Sequence, residues 1–439
     1  MLCGLALPLE CLVMRLILVD LLTPKRQNFY PLALSRPIWE LRCGMTSLGE
    51  KLVAKVGAKD VACFVPPYMA EVYRSATSWA VNDASKLQGD DLLVVHGRVR
   101  AASFDIAPTG PSQAAKDEDG ELLYARITRP DLARLDTSSI EALVESAGRV
   151  LPAGPPVAAW SYAWDLVLHN PEQLREDFAA AGRSGIEGTV EEPCAIRGSR
   201  SDVYVAPGAL VHPMVVLDAA GGPIYIDEEA EIHPFTRVEG PCYIGKKSIL
   251  LGAKCREGNS IGPVCRIGGE VEESIIQGYS NKYHDGFLGH AYVGQWVNLG
   301  ALTTNSDLKN DYSNVKVTLD GKSEIDTGST KVGSLIGDHT KTSIGTLLNT
   351  GAYVGAMALI LAHGKPLPKF IPSFAWMIDG IATKGFGKKA LYETARIAMG
   401  RRKCQWTPAD EAMWDAIFEM TKPARDEAIR RGRRVLSGA

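Results

Sequence analysis

The densest chemistry-bearing stretch is Ser280-Asn281-Lys282-Tyr283-His284-Asp285-Gly286-Phe287-Leu288-Gly289-His290. Trp296-Val297-Asn298-Leu299-Gly300-Ala301 and Thr304-Asn305-Ser306-Asp307-Leu308-Lys309-Asn310 follow it. Two of the eight histidines fall inside it. An imidazole facing solvent near neutral pH can take a proton from an amine, which is general-base chemistry. The amides of Asn298 and Asn305 can orient a sugar or a thioester, and the ammonium groups of Lys282 and Lys309 offer charge to a phosphate. His284 lies in a His-Asp-Gly break that a regular repeat has no use for. It is therefore expected on the outer surface, as the candidate base. His290 and His233 read instead as surface or internally satisfied histidines, and Asn298 also suits a purely structural role, stacking its amide along a corner.

The elements that must position these groups show in a six-residue rhythm. Ile336, Thr342, Leu348, Val354 and Ile360 recur at that spacing, with small residues Thr340, Thr346, Ala352 and Ala358 at a fixed offset. Ile226, Ile232, Val238 and Ile244 carry the same beat, with Ala230, Thr236, Cys242 and Ser248 in the small position. It slips by one residue to resume at Ile249, Cys255, Ile261 and Ile267, and shows again at Val293 and Leu299; Val205 and Val211 open it. The pattern predicts a left-handed parallel β-helix over residues 186–364, in which each hexad forms one flat face of a triangular coil. The polar run Asn305 to Lys331 cannot fill a coil interior, and is expected to leave it as an external loop reaching towards a neighbouring subunit.

Residues 14–180 read as an α/β domain with linker helices. Leu16 to Val19, Val61 to Val65 and Leu92 to Val95 are short apolar strands, and Thr46 to Val56 has helical spacing. Such alternation implies a partly parallel, Rossmann-like sheet with a ligand crevice at the strand ends. The Pro/Gly-rich stretch Leu151 to Val157 precedes a predicted linking helix pair, Trp160 to Ala180. Residues 365–439 form a helical extension, with amphipathic spacing over Lys388 to Met399 and Asp410 to Met420.

The 439 residues are 46% hydrophobic and 23% charged, an ordinary globular balance. A net charge of -3 gives a nucleic-acid partner no electrostatic support. No run is long and apolar enough to span a membrane. The nine cysteines show no CxxC pair, and Cys63, Cys242 and Cys255 fall at core-like positions, so they read as reduced packing thiols of a cytoplasmic protein. Met1 to Val13 is apolar but short and contains Glu10, and reads as a dispensable extension rather than a signal peptide.

The stretch Lys282 to Asn310 resembles the active segment of bacterial glucosamine-1-phosphate N-acetyltransferase, the C-terminal half of the bifunctional N-acetylglucosamine-1-phosphate uridyltransferase. Residues 14–439 are similar to a diverged branch of that GlmU-like family, which carries Asn-Lys-x-His-Asp-Gly-Phe-Leu-Gly-His, Trp-Val-Asn-Leu-Gly-Ala and a linker like Trp164-Asp165-Leu166-Val167. The resemblance implies acetyl-CoA-dependent N-acetylation of an amino sugar 1-phosphate. His284 then matches the base that deprotonates the sugar amine, Asn298 an amide on substrate and acetyl group, and Ala301 a backbone contact to acetyl-CoA. Asn305 and Lys309 match substrate contacts, with shorter spacing, and Gly345-Thr346 falls where the family meets its cofactor. Cofactor binding between subunits in that family implies a homotrimer. Two departures stand out. Phe287 replaces a tyrosine, and Glu272 and Glu273 lie where a phosphate-binding lysine is usual, so that Arg256 or Lys282 would have to substitute or the acceptor would differ.

The N-terminal half resembles a diverged sugar nucleotidyltransferase. In place of the family's Gly-x-Gly-Thr-Arg loop, which holds nucleotide phosphates, stands Leu21-Leu22-Thr23-Pro24-Lys25-Arg26. Lys25, Arg26, Arg36 and Arg42 are the basic residues suited to nucleoside triphosphate phosphates, though arginines in such loops also make structural ion pairs. Asp20 is the candidate ligand for Mg²⁺. The usual Gly-Asp after a later strand is replaced by His96-Gly97-Arg98. Two rival readings remain at this point: nucleotidyl transfer alone, with the β-helix as a trimerising scaffold, and a non-catalytic assembly or regulatory protein.

Overall fold

The computed structural model describes residues 14–361 and 364–437. The apolar segment Met1 to Val13 lies outside them. The chain forms two compact units: one runs to Thr23 and adds Pro37–Glu40 and Leu48–Trp160, and the other comprises Pro24–Arg36, Leu41–Ser47 and the chain from Ser161 onward.

The first unit is a six-stranded mixed sheet. Its order is Ala80–Val81, Asp60–Phe64, Met14–Val19, Asp91–His96, Leu122–Ile127, Gln113–Lys116. The first four strands are parallel, and the last two run antiparallel to their neighbours. Leu16, Ile17 and Leu18 are wholly buried, as befits a central strand covered on both faces. The helix Ile140–Val150 is capped by the Ser139 hydroxyl, which accepts from Ala142 N–H, and it buries Ile140, Leu143 and Ala147 against Leu122 and Ala125. The predicted helix at Thr46 is shorter than its apolar spacing suggests, Leu48–Val56, because Thr46–Ser47 pairs with Arg42–Cys43 as a small hairpin in the second unit.

In the second unit, three ladders of parallel strands make the faces of a left-handed β-helix. The longest has ten strands, from Gly185–Ile186 to Phe370–Ile371. The interior is one continuous aliphatic column. One face contributes Val205, Ile226, Ile244, Ile261, Ile276, Val293, Ile336 and Val354, one residue per coil. The slip in the hexad rhythm falls later than its sequence suggests: Leu250, not Ile249, points inward, and the coil shortens at the corner before Cys255. Among the inward positions that carry the aliphatic repeat, Lys282, Asn305 and Thr342 are polar.

The excursion after Asn305 is only partly an external loop. It contains an antiparallel hairpin, Lys316–Thr318 with Glu324–Asp326, whose Val315 and Val317 are fully buried. Three helices close the chain, Gly387–Gly400, Pro408–Met420 and Lys422–Ser437. Thr407 and Asp410 form a reciprocal capping box on the second. Among the described residues, no helix is long and apolar enough to cross a membrane.

Candidate active site

His284 occupies the corner between Asn281–Lys282 and Phe287–Gly289, and its side chain is exposed. The corner is fixed from inside. Lys282 stands in register with the core residue Ile267, and its buried ammonium donates to the carbonyls of Gly268, at 2.9 Å, and of His284, at 2.5 Å. Burial pulls the Lys282 pKa down to about 8. Gly286 takes a left-handed φ of 124°, which lets the chain turn out of the corner.

Successive corners stack above it. The Asp285 carbonyl accepts from Leu302 N–H at 2.7 Å, and the Ala301 carbonyl from Gly345 N–H at 2.8 Å. The corners holding His284, Ala301 and Gly345-Thr346 therefore line one edge of the prism in order. Asn298 is exposed and takes the Asn281 amide at 3.1 Å, on the strand that leads into the His284 corner. This same edge carries exposed apolar side chains at Met214, Phe235, Leu251, Leu302 and Ile344, the last two 58% and 74% exposed.

Other expected contacts lie elsewhere. Lys282 is buried, so it is not free for a phosphate. Asn305 is an internal plug: its amide oxygen accepts from Gly289 N–H and its amide nitrogen donates to the Gly289 carbonyl, at 2.8 and 2.9 Å. Thr346 is wholly buried and donates to the Ser343 carbonyl, so a contact at that corner falls to the backbone of Gly345. Lys309 pairs with Ser313 and Asp311 in the excursion. Arg256 is held by Glu272 at 2.5 Å, with Glu257 and Glu270 within 4 Å. Glu272 also meets Lys331, while His290 bridges Asp307 at 2.8 Å and Glu273 at 3.1 Å. Burial opposes its charge, but those two carboxylates prevail and raise the His290 pKa to about 9. The carboxylates of the departure site are thus neutralised within the fold.

The repeat did not reveal a second cleft, of about 250 Å³, between this face of the β-helix and the helix Gly387–Gly400. Asn281, Asn298 and the stacked rings of Tyr279 and Trp296 (centroids 4.4 Å apart) line it, with Arg401 and Arg402 at its rim. Arg402 donates to the Asn281 oxygen at 3.1 Å. Lys341 lies beneath, donating to the Trp296 and His339 carbonyls, and burial lowers its pKa to about 7.

The basic residues of the N-terminal half do not gather at strand ends. Lys25, Arg26, Arg36 and Arg42 belong to the second compact unit. Lys25 is half-buried in the turn Pro24–Phe29. Arg26 is fully buried and donates to the carbonyls of Ala33 and Arg36. Arg36 forms a bidentate pair with buried Asp338, at 3.0 and 2.5 Å, and Arg42 donates to the Met45 carbonyl. The three arginines are structural, because carbonyls and a carboxylate already engage their guanidinium groups. Asp20 is wholly buried and accepts from Ile38 N–H at 3.0 Å. Mg²⁺ asks for several accessible oxygens, and among the described residues no three-donor cluster includes Asp20, so these residues do not fit that ion.

The sheet does hold a cleft, of about 200 Å³, lined by Val19, Thr23, His96, Lys116, Glu121 and Glu145 among others. The His96-Gly97-Arg98 turn builds it. Gly97 is required by Trp39, whose ring and backbone lie 3.0 and 3.3 Å from where a Cβ would stand. Arg98 pairs with Glu121 and with Asp117, and donates to the Trp160 carbonyl. His96 Nδ1 accepts from Arg98 N–H, whereas its Nε2 faces Glu121 Oε1 at 3.7 Å with neither atom hydrogen-bonded. Burial and then Arg98 push the His96 pKa down to about 4. The replacement of Gly-Asp by His-Gly-Arg was visible in the sequence, but its distant carboxylate partners were not.

Comparison with known proteins agrees with this architecture. Residues 16–184 match the family described as sugar nucleotidyl transferase. The chain is 37% identical over 151 residues to the bifunctional sugar-1-phosphate nucleotidylyltransferase/acetyltransferase of Sulfurisphaera tokodaii, covering 32% of this chain and 35% of that protein. It is 32% identical over 219 residues to the bifunctional protein GlmU of Synechococcus elongatus, covering 48% of this chain and 39% of that one. The chain thus spans well under half the length of these curated relatives. A crystal structure of a UDP-N-acetylglucosamine acyltransferase aligns over 56% of this chain and 95% of its own, at 15% identity and a TM-score of 0.22, a likeness too slight to carry an argument. Over these parts of its length the chain is similar to bifunctional GlmU-type proteins, and its residues 16–184 match the sugar nucleotidyl transferase family.

Proposed function

We propose that the protein is a sugar-nucleotide biosynthesis transferase whose β-helix N-acetylates an amino sugar phosphate from acetyl-CoA. The observation that carries this is the stacked edge: an exposed His284 on a corner pinned by Lys282, followed coil by coil by the Ala301 and Gly345 corners. His284 takes the proton as the sugar nitrogen attacks the thioester carbonyl; the N–C bond forms, the C–S bond breaks, and the thiolate leaves with the cofactor. The amides of Leu302, Thr303 and Gly345 are committed to the corner stack, so the oxyanion role falls to Ala301 N–H. The exposed apolar side chains along this edge support a homotrimer, in which adjoining copies cover them and complete a pantetheine-sized groove. With Arg256 and Lys282 engaged, Arg401, beside the Asn281–Asn298 amides and the Arg402 that already holds the Asn281 oxygen, is a cation available to an anionic group.

Mixing the protein with acetyl-CoA and glucosamine 1-phosphate should release free thiol. His284→Ala should slow that release by about 10²–10⁴-fold. No release, or release indifferent to the substitution, overturns the reading. A second reading, nucleotidyl transfer, is favoured by the first unit's cleft and its unpaired His96 and Glu121 atoms. Pyrophosphate formation from a nucleoside triphosphate and a sugar 1-phosphate, lost in Glu121→Gln, tests it.

A further inference from the structure

Glu191, His212 and His233 recur at intervals of 21 residues, which is one full turn of the early β-helix. Each therefore follows the same strand face, one coil above the last. Glu191 N–H donates to the Val211 carbonyl, His212 N–H to Ile232 and His233 N–H to Leu250. The two imidazoles lie over one another with ring centroids 5.0 Å apart, and Glu231 reaches them from the preceding strand. His212 Nε2 is 3.0 Å and His233 Nε2 3.3 Å from the same oxygen, Glu231 Oε1. One donor atom from each of the three residues lies within 4.8 Å of the others.

We propose that His212, His233 and Glu231 bind a zinc-class divalent cation on the surface of the β-helix. Ligand bonds of about 2.0–2.2 Å in a tetrahedron put neighbouring donor atoms about 3.4 Å apart, close to the two imidazole–carboxylate distances, and the donor nitrogens of the two imidazoles lie within 4.8 Å of each other. Two imidazoles and one carboxylate suit zinc rather than magnesium or calcium, and leave one position for water or a substrate oxygen. The surroundings point the same way. Glu191 Oε2 lies 2.9 Å from His212 Nδ1, the arrangement in which an outer carboxylate accepts a hydrogen bond from Nδ1–H and leaves the Nε2 lone pair for a metal. The side chains are 24–35% exposed, so an ion can enter without unfolding a coil.

The test is equilibrium dialysis of the full-length protein against Zn²⁺ followed by elemental analysis, with Co²⁺ absorption as a geometric probe. One zinc per chain and an intense tetrahedral Co²⁺ band are expected. Both should be lost in His212→Gln and in His233→Gln, and affinity should fall about 10–100-fold in Glu191→Gln, which keeps every ligand. Circular dichroism verifies that each variant retains its β-structure. Sub-stoichiometric metal, or a Co²⁺ spectrum unchanged in the histidine variants, overturns the assignment and leaves the cluster a salt-bridged surface patch.

Discussion

Replacing Lys282 by methionine isolates the energetics of the corner that carries His284. The lysine fills an interior position level with Ile267, and methionine is close to it in length and volume. Folding moves the ammonium from an ordinary pKa of 10.5 to about 8, a shift dominated by burial. At about 1.4 kcal/mol per unit, holding the charge inside costs about 3 kcal/mol at neutral pH. The folded pKa lies below the unfolded one, so the unfolded chain binds the proton more tightly. The penalty is complete below about pH 8 and vanishes as pH rises towards 10.5, so stability increases across that window. Lys282→Met removes the penalty but leaves the Gly268 and His284 carbonyls without their donor, a loss of about 1 kcal/mol each. The variant should therefore be the more stable protein at neutral pH and the less stable one above the window. Urea midpoints of both proteins, taken in parallel from about pH 7 to pH 10.5, read the difference, in which titrations common to the two cancel. The variant's advantage should swing by about 3 kcal/mol and change sign. A difference that stays flat with pH would refute the buried-ammonium account of this corner.

Removing the guanidinium in Arg36→Ala takes the bidentate partner from the buried Asp338 carboxylate, which keeps the Ser35 hydroxyl and Gln295 N–H; the expected loss is about 3 kcal/mol by urea denaturation. His96 stays neutral in the fold down to about pH 4, whereas the unfolded chain takes its proton near 6.5. Stability should thus drain away as pH falls between those values, and His96→Gln should flatten the acid limb of the melting profile. Leu302→Lys places a charge on the exposed apolar edge, and sedimentation velocity should then show the proposed trimer reduced to smaller species.

The hexad rhythm alone was enough to reveal the β-helix, because each coil repeats one demand, an aliphatic side chain on each face. It located the corner of His284 for the same reason: His-Asp-Gly breaks that demand. The fates of Lys282 and Asn305 were hidden, since their partners are carbonyls and amides one coil away, supplied by Gly268 and Gly289. Polar residues in a dense polar stretch look like ligand contacts until those partners are seen. Arg36 was misleading at longer range, as its carboxylate lies 302 positions on. The shift from Ile249 to Leu250 shows a subtler limit: a corner shortened by one residue leaves the periodicity intact while the register has moved. The N-terminal strands were legible as apolar runs, but the cleft beside them depends on Glu121, in a hairpin whose pairing no local pattern announces.

Lys282, Asn305 and Thr342, polar residues at positions that the repeat otherwise fills with hydrocarbon, fall on successive coils. A stacked array shares its cohesion between adjacent layers, and here each of these layers exchanges one aliphatic contact for directional bonds to a neighbouring coil. The imidazole sits beside the first of them. Its place is consequently set by hydrogen-bond geometry, which fixes a corner in a way that interchangeable hydrocarbon contacts do not.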